Sequence, residues 1–259
     1  MKYSFLLGIK TEWLKYRHTS LFGLTLLIAS LTPIMKIISC MVSDELYGMM
    51  MHRDSWHFFL MINWKDTAAV MLPMYVILLN NSIAQTEYRN NAWKQLYALP
   101  RSYADIFFSK FIVVQVMIIF YFLCFNLFCL IAAVLLFLLK GVHNFFQLPI
   151  PWYQMLIISI RVYIGILAVS AIQYWLSVRF RNFMIPLGIG LSLLIGCLLL
   201  GGWVKNHLYS PYLFPLFMFS MDHSNEHYSL GLMYMVSLVS FVLSLLSGFL
   251  NLYFRKEKG

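Results

Sequence analysis

The chain has 259 residues, of which 61% are hydrophobic, 17% aromatic and only 11% charged. A soluble domain carries about 25% charged residues, so this composition excludes an ordinary soluble protein and points to a membrane protein. The net charge of +9 does not indicate nucleic acid as a partner, because the basic residues sit at the ends of hydrophobic spans.

The first 19 residues, MKYSFLLGIKTEWLKYRHT, place Phe5, Ile9, Trp13 and Tyr16 at helical spacing, with Lys2, Lys10, Lys15 and Arg17 largely off that stripe. This pattern predicts a helix lying in the headgroup plane and leading into the first span. The apolar run that follows is nearly long enough to span and shows no small-residue cleavage site, so the basic start is read as retained rather than as a signal peptide.

Six apolar runs then follow, at 20–42, 67–86, 110–139, 154–178, 183–203 and 230–254. Each approaches or exceeds the roughly 20 residues that cross a hydrocarbon core. Backbone groups in lipid must bond internally, and ten-residue alternating segments are lacking, so the spans are helices and not the strands of a barrel. The expected architecture is one all-α polytopic membrane domain over residues 1–259. Its connections include a polar region at 87–109 and an outer insertion at 204–229.

Orientation follows from Lys and Arg. With the N-terminus in the cytoplasm, the inner side holds Lys2, Lys10, Lys15, Arg17, Arg89, Lys94, Arg101, Lys110, Arg179, Arg181, Arg255, Lys256 and Lys258. These are thirteen of the 19 basic residues; Arg53, Lys65, Lys140 and Lys205 lie outside, and Lys36 and Arg161 fall within spans. The positive-inside bias and the even number of spans place both termini in the cytoplasm. All seven Trp residues lie near a predicted span end or in a connection, as headgroup-seeking indoles do.

Within the spans no Asp or Glu falls near mid-membrane, which disfavours a proton-coupled carrier. Lys36 and Arg161 are the intramembrane charges, both toward the outer half. They either snorkel to the interface or contact an acidic or phosphate-bearing substrate. Cys40, Cys124, Cys129 and Cys197 all lie in apolar runs without metal-ligand or disulfide spacing, and read as packing residues. His223 and His227 stand four apart, but their loop-like context does not make a metal site. The outer insertion contains SPYLFPLFMFS, an apolar piece too short to cross and interrupted by Pro211 and Pro215. It predicts a short helix dipping in from the outer side, or else a loop packed on the bundle.

The polar-rich stretch QTEYRNNAWKQLYALPRSYADIFFSK separates the second and third spans. Trp93, Leu96, Tyr97 and Pro100 follow i, i+3, i+4, i+7, the stripe of a short amphipathic helix, with Lys94 and Gln95 off the stripe. Asn90 and Asn91 are candidate caps, and Pro100 ends the stripe. After Arg101 and Ser102 a new helix begins and feeds the third span. No G-x-x-x-x-G-K-[ST] loop, Gly-x-Ser-x-Gly elbow or HExxH occurs in the chain. It therefore has no phosphate loop of its own and no catalytic residues that can be named.

Glu87 after the second span, then a short helix with Trp93 that ends in Leu96-x-x-Leu99-Pro100, then a basic stretch to Lys110, resembles the type 2 ABC exporter permeases. The wording NNAWKQLYALP is most similar to the subgroup tied to lantibiotic and bacitracin-type peptide immunity. The six-span layout, the interfacial first helix and the outer insertion match along nearly the whole chain, while the sequence motif is confined to Glu87–Lys110. The chain departs from many family members in having Asn91-Ala92 where they carry Gly-Thr or Gly-Ser.

The resemblance implies that Glu87, Trp93, Lys94, Leu96, Tyr97, Leu99, Pro100 and Arg101 belong to a coupling helix seated in a groove of a separate ATP-binding subunit. ATP and Mg would be bound by that partner, present in two copies, and no cofactor by this chain. A second permease copy or a related chain would complete the complex in a bacterial plasma membrane, with spans 1, 2 and 5 at the seam. The expected function is ATP-driven export of amphipathic or hydrophobic cargo, an antimicrobial peptide first among the candidates. A membrane scaffold or sensor using the same ATPase, and an ATP-independent carrier, are the competing classes.

Overall fold

The computed structural model describes residues 2–16, 19–52, 54–89, 102–142, 149–200, 210–220 and 230–254. Among them every regular element is helical, as a chain with so few polar side chains in lipid requires. In chain order these are α1 (Lys2–Tyr16), α2 (Leu21–Val42), α3 (Asp44–His52), α4 (Ser55–Asp66), a π-helical turn (Thr67–Met71) and α5 (Leu72–Arg89). There follow α6 (Tyr103–Lys140), α7 (Trp152–Arg179), α8 (Met184–Leu200), a 3-10 turn (Pro211–Leu213), α9 (Phe214–Ser220) and α10 (Leu230–Phe254).

Five helical stretches are long and apolar enough to cross a membrane: Leu21–Val42, Ser55–Thr86, Ala104–Lys140, Trp152–Arg179 and Gly231–Asn251. The expected fifth span corresponds to α8, whose 17 residues reach ~26 Å, slightly less than the ~30 Å hydrocarbon core. Conversely α6, with 38 residues, is ~57 Å long and must project beyond such a core. Its ends are set locally. The Ser102 side chain accepts from the Asp105 N–H at 3.0 Å, and Gly141 closes the other end with φ of 70°.

The stretch read as the connection before the second span is helical. The helix starts at Ser55, with Asp54 accepting from the His57 N–H, and runs through the π turn to residue 89. Lys65 and Asp66 resemble a membrane boundary in sequence. In the fold, Asp66 is ion-paired with Lys36 of α2, and Thr67 at the π turn bonds Thr32 at 3.0 Å. Trp64 is a core residue here, completely buried, stacked on Phe122 and edge-on to Phe125. It is not a headgroup indole.

The packing centres on α7, which lies against α5, α9 and α10, while α2 pairs with α6. Polar bridges join α6 to α7. Gln115 donates to Ser170 at 3.1 Å and accepts from the Tyr163 hydroxyl at 3.1 Å, and Asn126 donates to Ser159 at 3.0 Å. Such side-chain bonds hold helices together where lipid provides no hydrophobic drive.

The short apolar piece before the last span is buried in the bundle. Tyr212, Leu213, Phe214, Pro215 and Met218 are all inaccessible, and Tyr212 donates to Gln173 at 3.3 Å. It fits because α7 carries Gly165. A Cβ there would stand 2.9 Å from the Pro215 backbone. Gly165→Leu should therefore displace the 211–220 segment and destabilise the protein by about 1–3 kcal/mol. Gly23→Ala, which meets no described atom within 4 Å, should be neutral or slightly stabilising. Thermal unfolding of both variants in detergent checks this.

Candidate functional site

The residues expected to contact an ATPase, Trp93, Lys94, Leu96, Tyr97, Leu99, Pro100 and Arg101, lie outside the described residues, as does the Glu87 side chain. The structure does describe the two stems that carry this segment: the last turns of α5, ending at Arg89, and the first turns of α6, from Tyr103. At this basal end of the bundle both stems are bound to the same two neighbours.

The first neighbour is the end of α7. Ser177 bonds Asn81 of the α5 stem at 3.0 Å, and the Tyr88 hydroxyl of that stem donates to the Val178 carbonyl. On the other stem, the Tyr174 hydroxyl donates to the Phe107 carbonyl at 2.9 Å, and the two rings meet edge-on at 4.9 Å. α10 reinforces this end. Phe249 packs on Phe107 and Phe108, and Asn251 accepts from the Arg179 guanidinium at 2.7 Å.

The second neighbour is α1. The Tyr16 hydroxyl donates to the Ile83 carbonyl of the α5 stem at 3.4 Å. Glu12 receives the Lys110 ammonium of the α6 stem at 2.8 Å and that of Lys15 at 2.9 Å. The Glu12 and Lys110 side chains are 3% and 2% exposed, so this is an ion pair removed from water. Burial alone raises the Glu12 pKa, but the charges and hydrogen bonds of Lys110 and Lys15 outweigh it. The carboxyl is held below its ordinary value of 4.5.

The helical stripe read from the sequence is only part of the face that α1 turns inward. Gly8, Glu12 and Tyr16, at i, i+4 and i+8, are buried, whereas Phe5, Ile9 and Trp13 are half-buried beside them. Trp13 stands edge-on to Phe22 at 5.6 Å. Leu7 and Leu14 are 59% and 49% exposed and lie away from that face. Hydrophobic periodicity missed Glu12, because a carboxylate on an interfacial helix reads as part of its wet face. One signal was present: Glu12 is the sole acid before Asp44.

The two charges read from the sequence as intramembrane occupy different elements, Lys36 on α2 and Arg161 on α7, and the Ser55–Thr86 stretch adds Lys65 and Asp66. Lys36 is not simply extended to an interface, since the Asp66 carboxylate receives it. Arg161 is half-buried. The Lys36–Asp66 pair joins residues 30 apart in sequence, and no local pattern announces it.

The described residues define a multi-pass, helical membrane protein whose α5 and α6 stems are each held by α1 and α7 at the basal end. A family model described as ABC-2 family transporter protein matches residues 8–197. The chain belongs to this family and is the permease subunit of an ABC transporter, a membrane subunit that pairs with an ATP-binding subunit. No curated protein and no solved structure matches it.

Removing one partner of a buried ion pair costs about 3–5 kcal/mol, so Glu12→Gln should destabilise the basal end strongly near neutral pH. Because the folded pKa is depressed, the Glu12 contribution is complete above 4.5 and is lost as pH falls through the lower folded value. The difference in unfolding temperature between the native chain and Glu12→Gln should thus be widest near neutrality. It should narrow progressively below pH 4.5, as pH-dependent melting curves can show.

Proposed function

We propose that the chain is the permease of an ATP-driven exporter that moves amphipathic or hydrophobic cargo across a bacterial plasma membrane, an antimicrobial peptide being the favoured cargo. The bundle crosses six times with both termini in the cytoplasm, α8 being the fifth crossing and the 211–220 segment re-entering from the outer side. The basal end is then cytoplasmic. Residues 87–109 form the coupling region, with Trp93, Leu96, Tyr97, Leu99 and Pro100 as the anchor in the ATPase groove. Glu87, Lys94 and Arg101 form the polar rim of that contact.

The observation that carries this reading is the double bracing of the stems. A segment pushed by a partner moves the bundle only if its stems cannot yield separately, and both α1 and α7 bind both stems. The chain has no phosphate loop, so the energy of ATP enters through such a surface. Closure of two ATPase subunits would displace the coupling helices of two permease copies, or of this chain and a related one. The bundle would then pass between inward- and outward-accessible states. The peptide cargo is supported by the likeness of NNAWKQLYALP to the peptide-immunity permeases.

Trp93→Ala combined with Leu96→Ala should release the ATP-binding subunit while leaving expression and unfolding temperature unchanged, as read by co-purification. A double variant that still binds and stimulates its ATPase would show that 87–109 is not the coupling surface. Cells expressing the assembled complex should withstand a panel of lantibiotics better than cells lacking it. Lys36→Gln should lower that protection more than it lowers the amount of folded protein if Lys36 meets cargo; proportionate loss of both assigns it to structure alone.

A further inference from the structure

Burying a carboxylate and an ammonium together gains little net stability over a hydrophobic pair of the same size. Its presence at the start of α6 therefore calls for another explanation. The placement supplies one. Lys110 lies two turns into α6, on the stem that leaves the 90–101 segment, and Ile83 lies two turns before Arg89, on the stem that enters it. One helix, α1, reaches both: Glu12 binds Lys110, and Tyr16, one turn further along, binds the Ile83 carbonyl. Lys15 holds the second oxygen of Glu12 and so orients the carboxylate toward Lys110. The contact is directional on each stem, as a mechanical link requires and a greasy contact does not.

We infer that Glu12, oriented by Lys15, and Tyr16 are positioning residues that make the first helix a clamp across both stems of the coupling segment, so that a push on this segment moves α5 and α6 as one body. The inference rests on the reading of 87–109 as the ATPase contact. It deepens that reading by assigning the transmission of the stroke to residues some 80 positions away in sequence. α7 binds the same stems independently, so the stems can form without the clamp.

The test separates transmission from folding in the complete complex with its ATP-binding subunit. Spin labels at Val42 and Leu139, exposed positions at the far ends of α2 and α6, report the distance between those ends with and without MgATP and vanadate. The native chain should show a nucleotide-dependent shift. Glu12→Leu with Lys110→Met replaces the pair by apolar groups of similar size, and should keep the unfolding temperature and the bound ATPase but reduce the shift about fivefold or more. Inverting the triad, by Glu12→Lys with Lys15→Glu and Lys110→Glu, should restore it. Tyr16→Phe, which removes only a hydroxyl, should reduce the shift without touching the ion pair, and it remains informative if the apolar pair fails to fold. A native-sized shift in the apolar pair or in Tyr16→Phe overturns the clamp and leaves the exporter reading standing. A native chain that binds no ATPase overturns the exporter reading, and the clamp with it.

Discussion

In the hydrocarbon of a bilayer there is no water to satisfy a polar group, so a partner within the protein is worth more there than in water. That constraint accounts for the helices themselves, and it also shapes what joins them. Thr25 and Met117 both meet the Tyr75 hydroxyl, Thr32 meets Thr67, Gln115 is shared between Ser170 and Tyr163, and Gln173 lies between Tyr212 and the Pro186 carbonyl. Each link ties helices together with direction, and none depends on excluding water from apolar surface. The bundle is therefore specified by a small number of polar bridges set in a large, weakly selective apolar background.

The same constraint is most demanding where full charges are buried. Lys36 with Asp66 and Glu12 with Lys110 occupy opposite kinds of place. The first pair is partly accessible and stands beside the π turn and Pro33 of α2, where regular helical bonding is already interrupted. The second is sealed and stands near the ends of the two long helices that flank residues 90–101. In both cases the ion pair lies at a point where chain geometry is irregular or about to end. A directional contact there holds a register that apolar packing would leave loose.

At the basal end α1, α7 and α10 supply hydrogen bonds, ring contacts and the ion pair. α10, though packed along α7, turns one face away from the bundle. Leu238, Val242, Leu246 and Leu250 are all exposed, as suits a helix that borders lipid.

Much of the fold could be read from the chain. The apolar runs, their helical nature, the first helix and the short buried helix before the last span all follow from composition and period, because lipid forces any long apolar segment into one conformation. Boundaries were less legible. The stretch from Ser55 to Asp66 reads as an outer connection because Lys65 and Asp66 resemble a membrane border, and only the pairing of Asp66 with Lys36 explains why the helix continues through them. The stripe of Trp93, Leu96, Tyr97 and Pro100 can be read because amphipathic spacing is local, although these residues lie outside the described ones. The bracing of the stems beside it cannot, because Glu12 finds Lys110 across 98 positions and Tyr16 finds Ile83 across 67. Period and composition, in short, determine that this chain crosses a membrane as helices and presents a polar segment between two of them. Which side chains tie those helices together is decided only by tertiary packing, for a carboxylate looks equally at home in water or in a buried ion pair until its partner has been brought beside it.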